Sequence, residues 1–429
     1  MMVFQMDDDL LPRHLITELV DALSHARVVN LVGPRQVGKT TLVRDLFSQG
    51  RFITLDDDAI RAAIETDPFG QISALKEELG SAPLVIDEAQ RSKDLSLAIK
   101  RIVDSDRRKG QFILTGSSNV FRTANVADSL AGRMLSLKLW PLSAAEIHRR
   151  PASRLIDWAL DDAPQLARIG LEKAGRAEII NLLLRGGFPD IRKLPLRARQ
   201  RHYRDTVDTI VDRDVADIVR VRKTDALRRL IDQMAARTAQ ELNIAELTSV
   251  LQIRRETAEQ YLDVLLRLSV VAKLGAWTSG EGKREIKNPK YHFVDSGTVC
   301  ALRRFGDDAF NIGGAPTALG PVLESYVFNE LLRAAPFQAA DLRFYHWRSA
   351  DRREIDILIE SGPNLIGIEV KAATTVSGDD VRHLRWFATR GPGRTKRFTG
   401  LVFYLGDEKL SFGDRTFVLP VSSLWAEIG

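Results

Sequence analysis

The chain has 429 residues, 44% of them apolar and 28% charged, with 62 basic and 57 acidic side chains and a pI near 9.2. At about 100–200 residues per domain this predicts two to four globular domains, and the net charge of +5 permits nucleic-acid binding without demanding it. No apolar run reaches the ~18–20 residues that span a bilayer, the N-terminus lacks a signal-peptide pattern, and one cysteine (Cys300) excludes an internal disulfide or Cys-rich zinc site, so a cytoplasmic protein with no membrane partner is the default expectation.

In chain order, Arg27 to Val32 is a short apolar run suited to a buried parallel strand. Gly33, Pro34, Arg35, Gln36, Val37, Gly38, Lys39 and Thr40 follow at once in the pattern G-x-x-x-x-G-K-[ST], and Thr41 to Phe47 continues as a helix. Glycines let backbone N–H groups turn inward around phosphate oxygens at the positive end of that helix. Lys39 is placed for the β- and γ-phosphates and the Thr40 hydroxyl for Mg²⁺. This predicts ATP and Mg²⁺ as ligands, with the nine residues from Gly33 to Thr41 around the nucleotide.

Three further apolar strands recur at βα spacing: Phe52 to Leu55, Leu84 to Glu88, and Phe112 to Thr115. They predict an α/β domain with a parallel sheet and ligands at its carboxyl edge. Asp87 ends its strand as a candidate Mg²⁺ ligand, and Glu88 is the candidate group that polarises the attacking water. Asn119, with Ser117 or Ser118 as the alternative, is a candidate contact to the γ-phosphate or the water. Arg133 is read either as an arginine finger, in which case a homo-oligomer is expected if it acts across subunits, or as a structural ion pair.

The Asp87-Glu88 strand, the Thr115-Gly116-Ser117-Ser118 ending, the Gly132-Arg133 pair and Leu139-Trp140-Pro141-Leu142-Ser143 together resemble the AAA+-like ATPases of bacteria and archaea. Within them, the sequence is similar to the large group whose C-terminal half carries a nuclease-like fold. The resemblance runs over nearly the whole chain. It implies a P-loop core at 1–150 and, from the Gly186-Gly187-Phe188-Pro189 signature, a helical lid at 151–227.

Basic residues gather in the lid region: Arg185, Arg192, Lys193, Arg197, Arg199, Arg201 and Arg204, then Arg220, Arg222, Lys223, Arg228 and Arg229. They read equally as a nucleic-acid face or as a solvated surface balanced by Asp205, Asp208, Asp212 and Asp214. Over 228–298, Ala245 to Leu251 and Arg254 to Leu268 predict two crossed helices joined by Gln252-Ile253. Val270 to Trp277 and Arg284 to Val294 predict a hairpin, completing a winged helix-turn-helix. Arg254, Arg255, Thr257 and Gln260 then become candidate DNA contacts, blunted by Glu256 and Glu259.

From 299 to 429 the predicted order is helix, three strands, helix, strand. Asp356 lies on one strand of a hairpin. Glu369 and Lys371, two residues apart, share a face of the other. With Glu324 from the helix they form a candidate nuclease site that resembles the PD-(D/E)xK arrangement, in which carboxylates from both strands share Mg²⁺; surface salt bridges are the plainer reading. The expected function is that of an ATP-binding and hydrolysing AAA+-like protein, associated with DNA or RNA, whose ATP state controls the C-terminal half. The alternative is an ATP-driven protein-binding switch with non-catalytic C-terminal domains.

Overall fold

A computed structural model describes residues 10–46, 50–92, 94–116, 130–161, 166, 168–170, 174–215, 224–278, 288–311, 316–413 and 415–427. Five strands near the N-terminus, β1 (Val28–Val32), β2 (Arg51–Thr54), β3 (Leu84–Asp87), β4 (Phe112–Gly116) and β5 (Met134–Lys138), pair in parallel in the order β2-β3-β4-β1-β5. β1, β3 and β4 are buried at every position, which is why they read as mainly apolar runs. β5 escaped prediction because it lies on the sheet edge and is half-exposed, so it carries no such run.

The helices of this unit have identifiable stops and starts. Asp57 caps the helix Asp58–Thr66 by accepting from the Ala59 and Ile60 amides at 2.8 and 3.2 Å. Asp67 caps the next, Pro68–Leu79, whose first residue needs no amide donor. One face of the sheet packs Val28, Ile53, Leu84, Ile86, Phe112 and Leu114 against Ile64, Ile72, Ile99 and Val103 from the flanking helices. Burying side chains of this size contributes about 1.5–3 kcal/mol each before chain entropy is counted. Because β4 lies between β1 and β3, this packing brings the ends of all three strands to one edge of the sheet.

The chain divides into two compact units. The first runs to Pro141 and takes in the turn Arg267–Ser269; the second holds the rest. The sequence reading ended the first domain at 150. The division by contacts falls at Pro141; beyond it the Leu142 amide donates to Gly187 O at 2.8 Å and the Ala144 amide to Glu330 Oε2 at 2.8 Å. A reciprocal cap between Ser143 and Glu146 starts a short helix there.

The second unit contains an eight-stranded mixed sheet. Its strands are β6 (Val271–Ala276), β7 (Lys290–Phe293), β8 (Arg343–Arg348), β9 (Glu354–Ser361), β10 (Asn364–Lys371), β11 (Arg397–Tyr404), β12 (Leu410–Ser411) and β13 (Thr416–Pro420). The order is β12-β13-β11-β10-β9-β8-β6-β7. The expected helix–strands–helix–strand order is present, with helices Leu319–Ala334 and Arg382–Thr389 around β8 to β11. Leu384 and Phe387 of the second helix pack on Ile355, Leu358, Leu365 and Val402.

The helix-turn-helix residues form helices Ile244–Leu251 and Arg255–Arg267, and β6 and β7 pair as an antiparallel hairpin. That hairpin is not a separate wing. β6 pairs in parallel with β8 at Gly275↔Tyr345 and Ala276↔His346, and the three expected segments 151–227, 228–298 and 299–429 fall in one unit apart from Arg267–Ser269. Among the described residues no helix is long and apolar enough to cross a membrane.

Candidate functional site

The P-loop leaves β1 and winds into the helix Lys39–Leu46. Gly33 lies against the chain beyond β5, where any Cβ would collide with the Leu139 carbonyl oxygen. Gly38 has φ +96°, a conformation reserved for glycine, just before the helix that would carry phosphate at its N-terminus. Lys39 is buried and donates to the Gly33 and Pro34 carbonyls, both at 2.9 Å, curling back over the loop. Arg13 ties the loop down, donating to Val37 O at 2.8 Å and to Trp140 O at 2.5 Å. It lies outside the motif, and nothing in the sequence pattern singled it out.

Beside the loop, Asp87 joins two hydroxyls. Thr40 Oγ1 donates to Asp87 Oδ2 at 3.1 Å, and Thr115 Oγ1, at the end of β4, donates to Asp87 Oδ1. The sequence presented Thr115 as a strand residue, and its role emerges from the β3–β4 pairing. Thr40 and Asp87 fit a Mg²⁺ ion, since a hydroxyl and a carboxylate already in contact are oxygen donors of the hard kind magnesium takes.

Glu88, next in the chain, adopts φ +53°, a left-handed conformation that costs a non-glycine residue about 1–2 kcal/mol. It turns the chain out of β3 into the short turn Ala89–Arg91. Strain of this kind concentrates at functional positions. Burial raises the Glu88 carboxyl above its ordinary range; the charge of Lys39 opposes this and that of Asp87 adds to it, while Gln90 donates to Glu88 Oε2.

The remaining candidates of the first unit fare differently. Arg133 pairs with Asp104 through two bonds, Nε to Oδ1 at 2.5 Å and Nη2 to Oδ2 at 3.0 Å, the ion-pair alternative. Asn119, Ser117 and Ser118 lie outside the described residues.

In the second unit the basic stretch resolves largely into paired or buried groups. Arg228 bonds Asp208 and Asp212 at 3.2 and 2.5 Å, and Arg199 is buried, donating to Leu194 O. Arg220, Arg222 and Lys223 lie outside the described residues. At the start of the second helix of the helix-turn-helix pair, Arg254, just before it, and Arg255 and Gln260, on it, are exposed, and Thr257 is half-buried. Arg255 is engaged by Glu259 at 2.8 Å, one helical turn on.

The C-terminal candidates converge. The β9–β10 hairpin runs in register to Ile368↔Ile357, and Asp356 and Glu369 lie one step further along. Asp356 Oδ2 accepts from the Val370 amide at 2.9 Å, and Lys371 Nζ donates to Glu369 Oε2 at 3.1 Å. Between the strands and the helix Leu319–Ala334 stands a residue that sequence reasoning missed, Lys290 of β7. Its Nζ lies 2.8 Å from Glu324 Oε1, 2.8 Å from Glu354 Oε1 and 3.8 Å from Asp356 Oδ1, and its side chain is 2% exposed.

Burial alone would lower the Lys290 ammonium, but the three carboxylates outweigh it and raise it. Burial raises Glu324 and Asp356, and with the help of Asp356 it pushes Glu369 up to about 8. The sequence reading offered a Mg²⁺ shared by Asp356 and Glu369, with salt bridges as the plainer reading; the contacts present are ion pairs, Lys290 with Glu324 and Glu354 and Lys371 with Glu369.

Residues 25–148 match the AAA domain family. Residues 176–309 match a domain of unknown function (DUF8612), and residues 319–424 another (DUF4143). The chain is similar to the uncharacterized protein Rv2008c of Mycobacterium tuberculosis, with 30% identity over 368 residues, 85% of this chain and 75% of that one. An uncharacterized protein of Haemophilus influenzae is 25% identical over 286 residues, 64% of this chain and 62% of its own. Among solved structures, the Walker-type ATPase PABY2304 of Pyrococcus abyssi matches at 15% identity, over 70% of this chain and 96% of that one, with a TM-score of 0.41.

Proposed function

The chain belongs to the family of the mycobacterial protein Rv2008c and carries an AAA-type, ATP-binding domain in its first unit, and from that premise we propose that it hydrolyses ATP and uses the cycle as a switch for its second unit. The observation that carries the reading is Asp87 held between the hydroxyls of Thr40 and Thr115, with Glu88 adjacent. In this account Lys39 exchanges its two carbonyl partners for the β- and γ-phosphates, and the P-loop amides take the remaining phosphate charge. Thr40 and Asp87 hold Mg²⁺, which when bound neutralises phosphate charge and orients the triphosphate. Thr115 fixes the Asp87 carboxylate. Glu88 orients the attacking water and accepts its proton.

The partner of the switch is assigned to nucleic acid, DNA or RNA, through the exposed start of the helix Arg255–Arg267, with Arg254, Arg255, Thr257 and Gln260 as contacts. The second reading, an ATP-driven protein-binding switch, is favoured by the Arg255–Glu259 pair, which spends one of the two cations inside the helix. ATP turnover with Mg²⁺, measured with and without DNA and RNA, decides between them. Stimulation by either nucleic acid supports the first reading, unstimulated turnover the second, and no turnover that depends on Lys39 overturns both.

A further inference from the structure

Four carboxyls drawn from a helix and two strands into one largely buried cluster repel each other unless a cation lies among them. At this site the cation is part of the chain. We propose that the ammonium of Lys290, delivered from the edge strand β7, is the resident cation of the cluster formed by Glu324, Glu354, Asp356 and Glu369, and holds the place a divalent metal would take in a metal-dependent phosphodiesterase.

The geometry is that of an ammonium seat. Lys carries three donor protons on one nitrogen, and Lys290 Nζ faces three carboxyls, bonding two of them at 2.8 Å with the third at 3.8 Å. Divalent magnesium or calcium takes oxygens at about 2.0–2.6 Å and asks for six or more of them. An ion drawing on Glu324, Glu354 and Asp356 would compete with Nζ for the same oxygens. Displacing Lys290 is costly, because the side chain is almost fully enclosed and its ammonium would be left in the interior without its anions.

The remaining charge is covered as well, since Lys371 pairs with Glu369 Oε2. Glu369 Oε1 is buried and has no hydrogen-bond partner among the described residues, so it is a ready ligand if Lys290 is removed. Because Lys290 and the cluster lie wholly within the second unit, hydrolysis at the P-loop has no bearing on this assignment.

The test is Mn²⁺ binding to the nucleotide-free full chain, followed by electron paramagnetic resonance, with Thr40→Ala in every protein so that the P-loop contributes nothing. The parent protein should take up no Mn²⁺ that Asp356→Asn removes. Lys290→Ala should gain one Mn²⁺ site, binding about tenfold or more tighter than any uptake by the parent, as a fixed cation gives way to open carboxylates. That site should disappear in Lys290→Ala with Asp356→Asn, and Mn²⁺ should raise the unfolding midpoint of Lys290→Ala but not of the parent. Mn²⁺ bound by the parent and lost in Asp356→Asn overturns the assignment, as does a folded Lys290→Ala protein that gains no site. If Lys290→Ala does not fold, the parent and Asp356→Asn arms still decide.

Discussion

Two acidic sites in this molecule differ in what holds their carboxylates. In the first unit Asp87 accepts from two neutral hydroxyls, Thr40 and Thr115, and among the described residues no cationic side chain pairs with it. In the second unit Glu324, Glu354, Asp356 and Glu369 face the ammonium groups of Lys290 and Lys371. A hydroxyl orients a carboxylate and leaves its charge to attract a cation, whereas an ammonium orients it and cancels that charge. Counting acidic residues therefore does not identify a metal site; the charge of their partners does.

The largest expected effect tests the open site. Lys39→Ala should weaken MgATP binding by about a hundredfold or more, since it removes the main cation facing the phosphates; titration with a fluorescent ATP analogue reads this directly, and near-parental affinity would place the nucleotide elsewhere. Glu88→Gln should keep MgATP binding while multiple turnover falls by about 10²–10⁴. Retained turnover removes Glu88 from the proton-accepting role.

Thr115→Val separates orientation from charge, because it takes one hydroxyl from Asp87 and leaves the carboxylate intact. A loss of about 10–100-fold in turnover is expected, the range for a partner that orients a metal ligand, with recovery in Thr115→Ser. An unaffected Thr115→Val protein would mean Thr40 alone suffices.

Smaller effects are expected where cations are already spoken for. Arg254→Ala with Arg255→Ala should lower the log–log salt slope of DNA binding by about 1.8 if both reach phosphates and by about 0.9 if Glu259 keeps Arg255. An unchanged slope and affinity points to a protein-docking helix. Arg133→Ala should change least. With its guanidinium held by Asp104, Arg133→Ala is expected to keep turnover at the parental level. Loss of turnover in Arg133→Ala that is recovered by mixing with Lys39→Ala subunits would restore Arg133 as a finger acting across subunits.

What the sequence made legible follows sequence distance. The P-loop is contiguous, its strand and helix lie immediately beside it, and Asp87-Glu88 ends an unmistakable apolar strand. In the second unit the i,i+2 alternation on β10 placed Glu369 and Lys371 on one face, and the hairpin turn at Gly362 brought Asp356 opposite. Lys290 was hidden for the converse reason. It sits in a short polar-flanked stretch that read as the far strand of a wing, and its nearest carboxyl partner along the chain is 34 residues away. Thr115 was hidden differently: it was in plain view as a strand residue, and only the β3–β4 pairing gives it a task. β5 failed for want of burial, since an exposed edge strand has no apolar signature to read.

The joining of β6 to β8 decides how this protein can be taken apart. A fragment beginning at 299, where the amino-acid pattern suggests a cut, would lose β6 and β7 together, leave β8 as a bare edge open to pairing with other chains, and strip the acidic cluster of its ammonium. Such a fragment is expected to aggregate or to need a high concentration of added cation. The hairpin and the C-terminal sheet are thus expected to be expressed and lost as one piece, so that swapping either for another sequence requires moving both.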